Sequence, residues 1–249
     1  MVDQEPGGRM SLFDHLAELR RRLVICVAAV LVAAAATFSF SSEILTWLTA
    51  PLKTELVFLS PTEAFWVSFK ISLVVGLVIA LPLVLYQVWR FVAPGLYRTE
   101  RRYAAGFVIG SCVLFAVGLA FCAFVALPFA LNFLIAFGVD RGMKPMISAQ
   151  MYVDFALKFY LAFGAIFEVP LAVTLAGRLG LVTPALLARN RRYALLVNAV
   201  LAAMLTPTSD LFNMAIMLVP LTVLYEIGII GVRIFGRRRP APEAAAAGV

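Results

Sequence analysis

The sequence has little charge, one histidine and three cysteines, and each scarcity excludes a class of protein. Charged residues make up 14% and hydrophobic residues 63% of the 249 residues, whereas soluble proteins average about 25% charged and about 45–50% apolar. A soluble domain is therefore excluded, and a polytopic membrane protein is indicated. The single histidine excludes a multi-histidine metal centre. No CxxC pair occurs, and three cysteines in apolar runs form neither a disulfide framework nor a metal site: Cys26, Cys112 and Cys122.

The motifs of common enzyme classes are also missing. The sequence has no HExxH, no Walker-type loop and no Ser–His or Cys–His arrangement. Neither hydrolysis nor ATP use has a site, so we predict a protein that is not an enzyme and needs no cofactor. The first apolar run also lacks a small-residue cleavage site, so we predict a retained helix there.

Hydropathy predicts an all-α membrane domain with six spans over residues 11–239. A span needs about 20 residues to cross about 30 Å of hydrocarbon. The fifth predicted span is short, and Thr183-Pro184 before it is typical of a helix start. We therefore expect that helix to begin at the membrane edge before it inserts. The predicted spans are residues 23–40, 69–89, 103–129, 152–175, 193–205 and 212–234.

The distribution of basic residues predicts the orientation. Sixteen of the 21 lysines and arginines fall on the side that carries both termini, which the positive-inside rule places in the cytoplasm. The basic pI of 9.7 then reflects topology and contact with lipid, and nucleic-acid binding is disfavoured. The outer loops 41–68 and 133–151 are long enough to form a cap of short elements. We predict disordered termini over residues 1–10 and 240–249.

Four apolar spans contain proline, which removes a helical hydrogen bond and bends the helix. Bent helices predict a concave bundle, although kinks of this kind are also ordinary in membrane helices. The sequence leaves both interpretations open. The four residues are Pro82, Pro128, Pro170 and Pro220.

The segment SLFDHLAELRRRL predicts an amphipathic helix that leads into the first span. Ser11 and Asp14 have the spacing of a capping box, and His15, Glu18 and Arg22 fall on one polar face. The plain explanation of that face is a solvated surface with a Glu18–Arg22 ion pair, worth only tenths of a kcal/mol.

The segment LYQVWRFVAPGLYRTERR, residues 85–102, places one acid among several arginines at a membrane edge. A carboxylate at that position, Glu100, can hold a cationic ligand. A second acid, Glu168, lies near the middle of the fourth span, where a charge costs at least about 2.5 kcal/mol. Glu168 must therefore be neutral, paired or facing water. For Asp210 and Glu226 a structural role is favoured. Asp210 would cap a helix, and Glu226 would either pair with Arg233 or lie at headgroup depth.

In order along the chain, HLAELRRRL, LYQVWRFVAPGLYRTERR, FEVPLA, LTPTSD and VPLTVLYEIGI resemble the TatC family of the twin-arginine protein translocase. The resemblance covers Ser11 to about Arg239. It implies a multi-pass protein of the bacterial-type cytoplasmic membrane that works in an oligomeric complex. The complex would transport folded proteins with energy from the proton motive force.

The resemblance also implies which residues do the work. In the family, the acids that correspond to Glu18 and Glu100 contact the paired arginines of signal peptides. Residues of the same two motifs would shape that site: Leu19, Arg20, Phe91, Pro94 and Tyr97. Single-span partners, TatA and TatB, would dock against polar residues of the later helices: Glu168, Thr206, Thr208 and Asp210.

A proton-coupled small-solute transporter is the competing hypothesis. It would also have kinked helices and a buried acid such as Glu168. Such transporters usually have internal repeats and more spans, and no repeat relates the two halves of this sequence.

Overall fold

The protein is almost entirely helical. The computed structural model describes residues 12–52, 56–92, 104–205 and 211–236, so the predicted terminal segments 1–10 and 240–249 lie outside the described residues. Two strands of two residues accompany the helices, β1 (Leu56–Val57) and β2 (Ile147–Ser148). The helices are α1 (Leu12–Thr37), α2 (Ser41–Thr49), α3 (Glu63–Val92), α4 (Ala104–Phe121), α5 (Leu127–Val139), α6 (Ala149–Phe167), α7 (Val169–Arg178), α8 (Pro184–Arg189), α9 (Arg191–Leu205) and α10 (Leu211–Phe235).

The predicted six-span all-α membrane fold is confirmed. Among the described residues, five helical stretches are long and apolar enough to cross a membrane: His15–Thr49, Glu63–Phe91, Gly106–Val139, Ala149–Arg178 and Leu211–Phe235. The sixth is α9, whose 15 residues give a length of about 22 Å at ~1.5 Å per residue. The predicted fifth span is therefore short, as its sequence indicated.

The chain divides into two compact units, and the first comprises residues 1–112 with 146–153. In this unit α1 packs closely against α3. A Cβ atom on Gly76 would lie 2.5 Å from the backbone nitrogen of Ala34, so only glycine permits this approach. The Thr37 hydroxyl of α1 donates to the backbone oxygen of Ser72 in α3 at 3.1 Å. These contacts hold α3 against the last turn of α1.

The two long loops predicted to form a cap meet within this first unit. Strands β1 and β2 pair in parallel, with Leu56 opposite Ile147 and Val57 opposite Ser148. The Tyr152 hydroxyl donates to the backbone oxygen of Leu48 at 2.5 Å. Short elements of the two loops are therefore in direct contact.

The buried acid Glu63 completes this connection at the first residue of α3. Its side chain is 3% exposed. One carboxylate oxygen accepts from the Leu59 amide at 2.6 Å, and the other accepts from the Gln150 amide at 2.7 Å and from the Ser148 hydroxyl. The carboxylate therefore ties its own loop to the loop that contains β2.

The second unit comprises residues 113–145 and 154–249. Here α7 packs on α10 through small residues, and a Cβ atom on Gly177 would lie 2.5 Å from the Val232 side chain. Stacked rings join α5 to α10, with 3.7 Å between the centroids of Phe133 and Phe212. Phe163 is fully buried in this unit.

The four prolines act in two different ways. Pro82 and Pro220 lie inside α3 and α10, as predicted. Pro128 instead follows a π-helical turn over Cys122–Ala126 within one continuous helical stretch, and Pro170 lies in the first turn of α7 after an interruption at Glu168. A proline lacks the amide that would bond four residues back, so a π-helical turn or a helix start before it accommodates it without that bond.

The predicted helix start at Thr183 is correct, but the helix that begins there ends early. The Thr183 hydroxyl accepts from the Leu186 amide at 3.2 Å, which is an N-cap with Pro184 at the first turn. This helix, α8, ends at Arg189, and α9 starts separately at Arg191. The fifth span is therefore preceded by its own short helix rather than extended by it.

Candidate functional site

The predicted ion pair on the first helix is present, and it is tied to α3. Glu18 and Arg22 lie one helical turn apart on α1. Arg22 Nε donates to Glu18 Oε1 at 3.1 Å, and Arg22 Nη2 donates to the same oxygen. Arg22 Nη1 donates to Gln87 Oε1 at 3.1 Å. One guanidinium group thus joins the carboxylate of α1 to an amide of α3.

These side chains line a cavity of about 180 Å³ between α1 and α3. Its described lining contains one carboxylate and three guanidinium groups, so the described part carries a net positive charge. The lining residues are Glu18, Arg21, Arg22, Ile25, Gln87 and Arg90.

An aromatic contact closes the same end of the two helices. The rings of His15 on α1 and Phe91 on α3 stack with 4.2 Å between centroids and 15° between planes. The structure therefore brings together Glu18 and Phe91, two of the residues predicted for the site, within one end of the α1–α3 pair. Leu19 and Arg20, also predicted, lie exposed on α1.

Several predicted site residues lie outside the described part of the chain: Pro94, Tyr97, Glu100, Thr206, Thr208 and Asp210. The capping box of Ser11 and Asp14 also involves side chains outside it. Their roles stay predictions.

Glu168 lies at the junction of α6 and α7, in the second unit. It is the N-cap residue of α7, with φ −75° and ψ −16°, and its backbone oxygen accepts from the Ala172 amide at 2.9 Å. The acid is half-buried. The following Pro170 explains why an interruption falls here, since residue 170 has no amide to bond back.

A second ion pair corrects the prediction made for Glu226. The partner of Glu226 is Arg191 at the start of α9, with Nε to Oε1 and Nη2 to Oε2 both at 2.7 Å. This is the two-pronged geometry that arginine forms with carboxylates. Pairing with Arg233, seven residues along the same helix, is wrong because seven residues place the two side chains about two turns apart.

Metal chemistry has no visible basis in the described ranges. Within residues 12–52, 56–92, 104–205 and 211–236, no group of three or more His, Cys, Asp or Glu side chains could hold a metal ion.

Comparison with known proteins gives the family. The model of the family "Sec-independent protein translocase protein (TatC)" matches residues 14–220. The chain belongs to the TatC family. The TatC protein of Carboxydothermus hydrogenoformans is 39% identical over 223 residues, which cover 88% of this chain and 91% of the relative. That of Desulforapulum autotrophicum is 40% identical over 240 residues, or 94% and 88% of the two chains.

The fold is also similar to that of solved TatC structures. A crystal structure of a twin arginine translocase receptor, TatC, is 39% identical and superimposes with a TM-score of 0.80. The match covers 90% of this chain and 100% of that chain. A second crystal structure of the receptor, in DDM, gives a TM-score of 0.79 at 40% identity, over 87% and 98% of the two chains. The similarity therefore extends through both units of the fold.

Three polar residues of this TatC chain make long-range contacts that its sequence does not predict. Gln87 lies 65 residues from Arg22, Arg191 lies 35 from Glu226, and Glu63 lies 85 from Ser148. Helical spacing reveals pairs three or four residues apart, so it gave the Glu18–Arg22 pair. Gln87 lies inside the motif LYQVWRFVAPGLYRTERR. The sequence does not show that it lies on the side of α3 that faces α1.

Proposed function

We propose that the chain is the receptor and core subunit of a twin-arginine protein translocase. It binds twin-arginine signal peptides and, with single-span TatA- and TatB-type partners, moves folded proteins across the membrane with energy from the proton motive force. The observation that carries the proposal is the similarity to the solved twin arginine translocase receptor along 90% of the chain.

The proposed location of peptide binding is the cavity between α1 and α3. Glu18 supplies a carboxylate there, but Arg21, Arg22 and Arg90 also line the cavity. Three guanidinium groups repel a cationic ligand, so one acid is not enough to hold two arginines. We infer that Glu100, the acid of the segment after α3, supplies the second carboxylate.

The proposed ligand chemistry follows from the two acids. A carboxylate accepts two parallel hydrogen bonds from a guanidinium group, whereas a lysine ammonium acts as a point charge. Adjacent residues of an extended peptide point to opposite sides, so two separated acids suit two neighbouring arginines. In this proposal the remaining residues of the two motifs shape the surface around the peptide: Leu19, Arg20, Phe91, Pro94 and Tyr97.

The experiment that tests the function is photo-crosslinking of a twin-arginine signal peptide to the detergent-purified protein. We expect a crosslink to α1 or to the segment after α3, and a much weaker one for a twin-lysine peptide of the same sequence. Absence of any crosslink, together with proton-coupled uptake of a small solute by proteoliposomes, would favour the transporter hypothesis instead.

The later helices are proposed to hold the partners. Glu168 stands beside the α6–α7 interruption, where a polar side chain can hydrogen-bond a partner helix within the membrane. Polar residues before α10 are proposed to contribute to the same docking: Thr206, Thr208 and Asp210. In the preparations used for crosslinking, Glu168→Ala should reduce copurification of the single-span partners, and Glu168→Gln should reduce it less. Loss of the peptide crosslink with partner copurification intact would contradict this role.

The proposed localisation is the cytoplasmic membrane, with both termini in the cytoplasm. Because the basic loops lie on one side of the predicted spans, reporters fused after Arg98 and after Arg189 should be cytoplasmic. Reporters near Thr54 and Gly142 should be external. Alkaline phosphatase and green fluorescent protein fusions at these four points measure the topology, and reversal of either pair is incompatible with it.

A further inference from the structure

The guanidinium group of Arg22 on α1 contacts side chains of both α1 and α3. Nε and Nη2 both donate to Glu18 Oε1, while Nη1 donates to Gln87 Oε1. Among the hydrogen bonds between described residues, none uses Glu18 Oε2. A carboxylate has about four acceptor sites on its two oxygens, so the hydrogen bonds between described residues leave about half of them unused.

The three side chains are sheltered from water to different degrees. The Arg22 and Glu18 side chains are 12% and 24% exposed, and Gln87 is 9% exposed. A fully exposed i,i+4 pair would be mobile and weak. Here a third contact from another helix restricts the arginine, and through it the carboxylate.

We propose that Arg22 and Gln87 are positioning and specificity-determining residues for Glu18, and this rests on the proposed function. Gln87 holds Arg22, and Arg22 holds the Glu18 carboxylate at the cavity with Oε2 available to a signal-peptide arginine. Neither residue needs to touch the peptide.

The same arrangement favours arginine over lysine. Arg22 already offsets the charge of Glu18, so a cation gains little from charge alone. A guanidinium ligand still gains directional hydrogen bonds at Oε2, whereas an ammonium group, which binds mainly as a point charge, gains less. A substitution that removes the contact between Arg22 and Gln87 should therefore reduce the preference for a twin-arginine peptide over a twin-lysine peptide.

A double-mutant cycle with Gln87→Met and Glu18→Gln tests the proposal on the full-length protein in detergent. Methionine has a similar length to glutamine but no amide oxygen for Arg22. We expect Gln87→Met to weaken twin-arginine peptide binding about three- to tenfold and to narrow the ratio of twin-arginine to twin-lysine affinity. In the Glu18→Gln background the same substitution should change neither quantity by more than about twofold.

Arg22→Lys is the second variant, because it keeps the charge and cannot contact Glu18 and Gln87 with separate nitrogens of a planar fork. It should reproduce the loss seen for Gln87→Met. Ser72→Ala is the matched control, since Ser72 is another buried polar residue of α3, 2% exposed, and it does not line the cavity. Thermal unfolding of each variant separates loss of folding from loss of binding.

Three results would overturn the proposal: unchanged affinity in Gln87→Met and Arg22→Lys, equal losses in both Glu18 backgrounds, or tighter peptide binding. Tighter binding would mean that Arg22 competes with the peptide for Glu18. Failure of the proposed function gives a different pattern, in which the unsubstituted protein does not distinguish the two peptides or Glu18→Gln itself has no effect.

Discussion

Replacing Glu18 or Glu100 by alanine is expected to weaken the binding of a twin-arginine peptide by about one to two decades in Kd. Each substitution removes the acceptor for charge-assisted hydrogen bonds, whose loss has an effect of roughly this size. Glu18→Ala also leaves Arg22 without its carboxylate partner, which adds positive charge to a cavity that already contains Arg21 and Arg90. A binding titration at low salt measures the effect.

The matched control for these substitutions is Glu43→Ala, which removes an exposed acid from the first turn of α2. It should leave the peptide affinity unchanged within about twofold. A twin-lysine peptide should already bind poorly to the unsubstituted protein. If Glu18→Ala and Glu100→Ala both bound the twin-arginine peptide normally, the receptor site would lie elsewhere.

The largest loss of stability is expected from Glu63→Ala. The buried carboxylate accepts hydrogen bonds from Leu59, Ser148 and Gln150, and its removal leaves these donors without that acceptor in a sheltered place. We expect the thermal midpoint in detergent to fall by roughly 5–10 °C. The Gln150 amide should also exchange its hydrogen faster, because its partner is gone.

Glu43→Ala is also the control for Glu63→Ala, since it removes an acid from the same cap without removing a described hydrogen bond. The thermal midpoint of this variant should move by no more than about 2 °C. Peptide affinity should survive Glu63→Ala, because Glu63 begins α3 and the proposed site lies at its other end, near Gln87. An unchanged midpoint and unchanged exchange would show that the β1–β2 contact holds without Glu63.

Local and repetitive patterns made part of this structure predictable from sequence. Long apolar runs gave the spans, because the bilayer thickness sets their length. The Thr183 cap and the Glu18–Arg22 pair follow from spacings within one helical turn. The end of α8 at Arg189 was not predictable in this way, since the residues around it are compatible with a continuous helix.

Contacts between distant segments could not be predicted. The Arg22–Gln87 and Arg191–Glu226 contacts depend on which helices pack together and on their rotation about their own axes. A proline also has two outcomes, a position inside an uninterrupted helix at Pro82 and a place in the first turn of a new helix at Pro170. Which one occurs depends on packing that surrounds the residue.

The long separation between Glu63 and Ser148 also bears on the biogenesis of the protein. A ribosome that adds about 5–20 residues per second needs roughly 4–17 s to make the 85 residues between them. Through that interval the newly made α3 has, as described donors to its terminal acid, only the backbone amides of Leu59 and Ser60 in its own loop. The first compact unit thus cannot close until α4 and α5 have been synthesised, because Ser148 follows both helices in the chain.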